Sequence, residues 1–392
     1  MSSQGAMVGL FAGIGGLELG LARSGWSTTA LCEIDAGAGA VLRSRFPGVP
    51  LHSDVATLRA LPAGTELVAA GFPCQDLSQA GRTAGITGAR SGLVDEVFRL
   101  VARKRGPRWL LIENVPFMLQ LGRGAAMRHI THALEDLGYM WAYRVVDARS
   151  FGLPQRRQRV VMLASRTDDP REVLFGPDAG IPEAGDADVL PCGFYWTEGV
   201  RGLGWAINAV PTLKGGSTLG IASPPAVRLP AGELVTPGIS DAERLQGFDA
   251  GWTAPAVESP GVRAGHRWKL VGNAVSVRMA TWVGEQLATR TPYDEGSDTE
   301  LVPGQSWPSA AWGCDRRAFR VPASTWPVQQ PYEDLSGFLD ESKLLSARAT
   351  AGFLKRARSG RLRFAPGFLD TVESHLHRMT DVPVVPEPVR VA

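Results

Sequence analysis

A thiol, a carboxyl, two arginines and a glycine-rich turn have the types and spacing to do chemistry. Gly71-Phe72-Pro73-Cys74-Gln75 sets a thiol just after Leu67-Val68-Ala69-Ala70, an apolar run of the length of a buried strand. Cys74 then stands on a loop at the carboxyl edge of a sheet, where open α/β sheets bind ligands. A thiolate there is a nucleophile, although a lone cysteine is more commonly a small buried hydrophobe. Glu113 ends a second apolar run, Trp109-Leu110-Leu111-Ile112. A carboxyl so placed takes a raised pKa and can serve as an acid near neutrality; otherwise it caps the following helix. In Gln155-Arg156-Arg157-Gln158-Arg159, an extended backbone points Arg157 and Arg159 together and Arg156 away. Two arginines on one face repel unless an anion or polar ligand lies opposite.

The glycine-rich turn Ala12-Gly13-Ile14-Gly15-Gly16 joins the strand Val8–Phe11 to a helix that begins at Leu17 and stops at Ser24-Gly25. Glycines let backbone approach a ligand closely at a helix mouth. After the strand Thr28–Cys32 stands Glu33, placed for ribose hydroxyls, and Asp54 follows as a candidate for an adenine amino group. Such a loop fits NAD, FAD or S-adenosylmethionine. Its F-x-G-x-G-G spacing departs from G-x-G-x-x-G and turns the reading away from a dinucleotide.

These groups need a large scaffold, and 392 residues suffice for two or three units. With 44% hydrophobic and 20% charged residues the composition is that of an ordinary soluble protein. A net charge of +2 confines any nucleic-acid surface to a local patch. Cys32, Cys74, Cys192 and Cys314 form no C-x-x-C pair, which argues against structural zinc and a disulfide scaffold. No leader pattern or membrane-length apolar run is seen, so a reducing cytoplasm is expected. Leu93–Lys104 and Phe117–Gly138 read as helices, Trp141–Ala148 and Val160–Ala164 as strands, and Gly81–Ser91 as a surface loop long enough to be a lid.

In order, Phe11–Gly16, Gly71–Gln75, Glu113-Asn114-Val115, Gln155–Arg159, Leu245–Phe248 and Gly272–Val275 resemble the C5-cytosine DNA methyltransferases of bacteria and phages over residues 5–290. The resemblance implies an α/β fold: a Rossmann-like sheet with helices on both faces, a small irregular β-rich target-recognition lobe and a C-terminal extension. The expected divisions are 1–165 plus 265–290 (catalytic), 166–264 (target recognition) and 291–392 (extension). It implies S-adenosylmethionine as cofactor, held by Phe11, Ala12, Gly13, Ile14, Gly15, Gly16, Leu17, Glu33, Ile34, Asp54, Val55, Phe72, Pro73, Leu93, Asn273, Ala274 and Val275. Cys74 matches the nucleophile that adds to cytosine C6, Glu113 the group at N3 and the exocyclic amine, Arg159 the holder of O2, and Arg157 a group steadying the site near Cys74. DNA contacts are expected from Gln75, Ser78, Arg90, Asn114, Gln155, Arg201 and Thr212, with no metal. Because the chemistry cannot occur inside a duplex, the base must be flipped out.

The implied partner is double-stranded DNA, with a cognate restriction endonuclease as a functional rather than physical companion, and the protein is expected to be a monomer off the membrane. Trp205, Lys214 and Arg228 are further residues able to reach DNA bases, or else make a phosphate contact or are plain solvated charge. Beyond 290, Thr291–Val328 reads as a linker or a wrap, and Leu344–Arg358 as an amphipathic helix with Leu344, Leu345, Ala351, Phe353 and Leu354 on its apolar side. Basic residues between Lys343 and Arg363 suit either a DNA-backbone contact or a solvated face on a packed extension. A tRNA methyltransferase of the same fold and a catalytically silent DNA-binding protein are the alternatives.

Overall fold

The computed structural model describes residues 4–73, 92–103, 106–176, 178–200, 202–215, 224–302 and 304–381. Cys74, Gln75, Ser78, Arg90, Arg201 and the Gly81–Ser91 loop lie outside the described residues. The strands are β1 Gly5–Leu10, β2 Trp26–Cys32, β3 Leu51–His52, β4 Thr65–Ala70, β5 Trp109–Asn114, β6 Met140–Asp147, β7 Gln155–Arg156, β8 Gln158–Ser165, β9 Cys192–Phe194, β10 Ala206–Ile207, β11 Val210–Pro211, β12 Ala226–Arg228, β13 Leu234–Thr236, β14 Thr299–Glu300, β15 Ala310–Cys314, β16 Arg317–Arg320 and β17 Lys343–Leu344.

The main sheet has the order β14-β16-β15-β6-β8-β5-β4-β1-β2-β3. The half from β3 to β5 is parallel and the remainder antiparallel. Both faces are covered, which is why β1, β4 and β5 read as continuous apolar runs rather than alternating ones. Val8, Leu10, Val68, Leu110 and Ile112 face the helices Leu93–Val101 and Ala125–Asp136. Met7, Leu67, Ala69 and Leu111 face Gly16–Arg23 and Val277–Thr289.

Register positions the site. Leu10 pairs with both Cys32 and Ala70, and Ala70 with Ile112. The next residues, Phe11, Glu33, Gly71 and Glu113, therefore emerge together at one sheet edge. The chain order reverses between β1 and β4, so this edge is also the topological switch point. Val161 pairs with Glu113, so Arg159, two residues earlier on β8, lies on the same face as the carboxylate.

Elsewhere the structure departs from expectation. The stretch expected as one helix from Phe117 is a 3-10 turn, Pro116–Leu119, and then the helix Ala125–Asp136. Gly122, Arg123 and Gly124 all have positive φ, and this left-handed run interrupts the helix. The small lobe is an antiparallel sheet of order β10-β9-β12-β13-β17, tied to the large one where β11 pairs with β7. Residues beyond 290 serve both lobes. β15 pairs with β6 and carries β16 and β14, whereas β17 and the helices Ala347–Ser359 and Phe368–Asp381 build on the small sheet. Leu344 and Ala351 are exposed; the buried stripe of the first of these helices is Thr350, Phe353, Leu354 and Ala357. Among the described residues no helix is long and apolar enough to cross a membrane, and no cluster of metal-ligating side chains is present.

Candidate active site and cofactor cleft

A cavity of about 660 Å³ opens at the switch point. Its floor is Phe11 and Gly13 from the glycine turn with Gly71, Phe72 and Pro73. Phe11 adopts φ 55°, unusual for a bulky residue, and its ring meets that of Phe72 edge-on at 6.2 Å. Strained backbone of this kind persists where the surroundings over-determine it, commonly beside a ligand. Gly13, at φ 55°, also holds a conformation that L side chains rarely adopt. One wall carries Glu33, Ile34, Asp54 and Val55; the facing wall is Asn273 and Ala274, with Leu93, Glu113, Asn114 and Arg159 closing the inner end.

The glycine turn is held by the carboxylate expected to serve the ligand. Glu33 accepts hydrogen bonds from the Gly13 amide (2.8 Å) and the Asp35 amide (2.7 Å). Each oxygen keeps a second lone pair, so Glu33 can still accept from a hydroxyl in the cavity. Asp54 accepts from the Ala56 amide, and Ile34, also on the lining, stands 76% exposed. Ala12, Ile14, Gly15, Gly16, Leu17 and Val275 do not line the cavity. Ile14 and Leu17 belong to the core beneath it, Gly16 abuts the Val275 carbonyl, and Ala12 is tied to the Cys32 carbonyl. Cys32, Asp35, Ala38, Ser53, Lys269, Leu270 and Gly272 line the cavity and were not foreseen. The signals available for them were Asp35 as an N-cap acid before Ala36–Arg45, which the structure shows accepting from Gly37 and Ala38, and the closeness of Lys269 and Leu270 to Gly272-Asn273.

At the inner end Arg159 Nε lies 2.9 Å from Glu113 Oε1, both nearly buried. Burial pushes the Glu113 carboxyl up, and Arg159 with Arg157 opposes that rise. Arg156 points outward to the Trp205 carbonyl, as the alternation requires. Arg157 is fully enclosed and donates to the carbonyls of Leu213, Gly272 and Ala274. Its guanidinium thus fastens the cofactor wall to the small lobe.

Two residues expected at DNA are turned inward. Asn114 donates to the Phe72 carbonyl (3.0 Å) and accepts from the Val115 amide, so its side chain anchors the loop that leads to Cys74. Gln155 is buried between the Leu245 carbonyl and the Leu213 amide. Thr212 keeps a partly open position, its hydroxyl donating to the Arg156 carbonyl. Arg228 is spent on the Ala187 and Leu190 carbonyls, and Trp205 packs against Phe194 and Phe368. Both were read as able to reach DNA; internal packing claims them instead.

With this geometry established, likeness to known proteins becomes informative. Residues 5–186 match the C-5 cytosine-specific DNA methylase family. Over 382 residues the chain is 50% identical to the Type II methyltransferase M2.BsuMI of Bacillus subtilis (strain 168), covering 94% of this chain and 97% of that one. The Type II methyltransferase M.BsuFI of Bacillus subtilis is 34% identical over 176 residues, 44% of this chain and 40% of its own. In fold the chain is similar to the S. pombe Dnmt2 methyltransferase, with TM-score 0.53 at 16% identity, covering 73% of this chain and 99% of that one. The chain belongs to the C-5 cytosine-specific DNA methylase family, the enzymes that methylate carbon 5 of cytosine in DNA.

Proposed function

We propose that the protein transfers a methyl group from S-adenosylmethionine to C5 of a cytosine flipped out of a specific duplex sequence, as a DNA (cytosine-5-)-methyltransferase with Cys74 as nucleophile. The observation that carries this reading is the Glu113–Arg159 pair at the inner end of the cavity, beside the loop that leads to Cys74. The cavity suits the cofactor. Carboxylates at Glu33 and Asp54 can accept from ribose hydroxyls and an adenine amine, and Ile34 and Leu93 offer apolar faces. Bound there, the cofactor supplies an electrophilic methyl.

The remaining chemistry falls to the chain. Cytosine C5 is a poor nucleophile until the Cys74 thiolate bonds to C6 and pushes an electron pair toward C5. Glu113 donates at N3 and accepts from the exocyclic amine, stabilising the adduct. Arg159 donates to O2. Once C5 carries the methyl, a base takes the C5 proton, the C–H electron pair re-forms the C5–C6 double bond and the sulfur leaves as thiolate. Arg157 acts at one remove by holding Gly272, Ala274 and Leu213 in place. The lobe at 166–264 reads the target, and Thr212 faces the DNA. Cytoplasmic, DNA-associated work alongside a cognate endonuclease fits the Type II relatives.

The test is a covalent trap. Duplex bearing 5-fluorocytosine at the target leaves no C5 proton to remove, so the native protein should accumulate an adduct stable to denaturation. Cys74→Ser should form none while retaining cofactor binding. An adduct on the Ser variant would remove Cys74 from the mechanism, and bisulfite sequencing of host DNA identifies the target.

A further inference from the structure

We propose that Lys214 is a DNA-phosphate contact held in reserve by Glu198, which releases it when the duplex enters. The inference rests on the DNA-methylating reading above and assigns a residue to it. Lys214 follows Thr212-Leu213, and this segment runs directly along the cofactor wall: Gly272 packs so tightly against Lys214 and Gly215 that a Cβ there would collide with their backbone. Lys214 therefore lies directly against Gly272, a residue of the cavity lining, one residue from the Leu213 carbonyl that Arg157 grips.

Its ammonium is poised rather than buried. Nζ lies 3.1 Å from Glu198 Oε1 and 3.8 Å from the centre of the Tyr195 ring. Both charged side chains are about half exposed, 50% for Lys214 and 44% for Glu198. An exposed pair of this kind is worth little, on the order of 0–1 kcal/mol, so a phosphate can take the lysine from the carboxylate at small cost. The platform beneath is rigid by comparison. The Tyr195 hydroxyl donates to the Thr212 carbonyl (2.7 Å), and Gly204, at φ 66°, presses on the ring so closely that no side chain would fit. The turn bearing Glu198 is propped from behind by the helix Ala347–Ser359, where Arg356 donates to the Trp196 and Glu198 carbonyls and Phe353 and Ala357 back Gly199. A fixed ring and a fixed turn with one mobile ammonium between them is an arrangement suited to passing a cation to an incoming anion.

Two variants pull in opposite directions, which a merely structural ion pair would not do. Binding to target and non-target duplexes is measured by fluorescence anisotropy across a potassium chloride series, with S-adenosylhomocysteine present. Lys214→Gln should weaken both duplexes alike and lower the log–log salt slope by about 0.9. Its deficit relative to the native protein should therefore shrink about 3.5-fold between 50 and 200 mM salt. Glu198→Gln should bind both duplexes two- to fivefold more tightly at low salt and leave the target sequence unchanged, since phosphate contacts position and base contacts specify. An unchanged slope in Lys214→Gln, or no gain in Glu198→Gln, overturns the proposal. A native protein that binds duplex but transfers no methyl to it would instead count against the functional reading.

Discussion

Glu18 is a carboxyl that the chemistry does not use and that nothing around it neutralises. It lies in the first turn of the helix Gly16–Arg23, fully buried, and among the described groups neither oxygen has a hydrogen-bond partner. Its Oε1 occupies the space where a Cβ on Gly9 would stand, which explains a glycine inside β1. Burial first, and then repulsion from Glu33, push its pKa from 4.5 to about 8. The sign follows from linkage. Below pH 4.5 the folded and unfolded chains both carry the proton, so the titration of Glu18 adds no penalty. Between pH 4.5 and about 8 the unfolded chain loses its proton while the folded chain keeps it, so stability falls by about 1.4 kcal/mol per pH unit. At pH 7.5 the accumulated penalty reaches about 4 kcal/mol as an upper value. Glu18→Gln keeps the shape and removes the titration. It should match the native protein at pH 4.5 and melt about 5 °C higher at pH 7.5, taking the usual unfolding entropy per residue. Scanning calorimetry at both pH values checks this. A gap between the two proteins that does not change with pH would falsify the picture of a neutral acid beneath the glycine turn.

Two further outcomes follow from particular contacts. Glu33→Ala loses the bonds to the Gly13 and Asp35 amides as well as any to ribose, and should weaken S-adenosylhomocysteine binding by roughly 1–3 kcal/mol by calorimetry, with duplex binding spared. Truncation at residue 290 removes β15 from the side of β6 and the helices from the small sheet, so the product should aggregate on expression; a soluble truncated protein with a native thermal midpoint would refute the shared-core description.

The parallel half of the main sheet was legible because its strands are buried on both sides. Runs such as Leu67–Ala70 and Trp109–Ile112 admit little but a central strand, and their polar successors mark the ligand edge. The alternation at Arg156, Arg157 and Arg159 was equally readable, since an extended backbone fixes which side chains share a face. What sequence could not supply was the number of partners a side chain already has. Asn114 and Gln155 look like free amides in a motif, yet each both donates and accepts inside the protein and so braces a neighbouring segment. The strands of the C-terminal region were hidden for a different reason. β15 and β16 are short and joined at Asp315-Arg316, both with positive φ, a two-residue hairpin without the Asn-Gly or Asp-Gly signature. Their pairing depends on β6, more than 160 residues earlier in the chain, presenting an open edge. That edge also bears on function. β6 pairs with β8, which carries Arg159 beside Glu113, so a segment outside the recognisable motifs extends the sheet on which that pair is aligned.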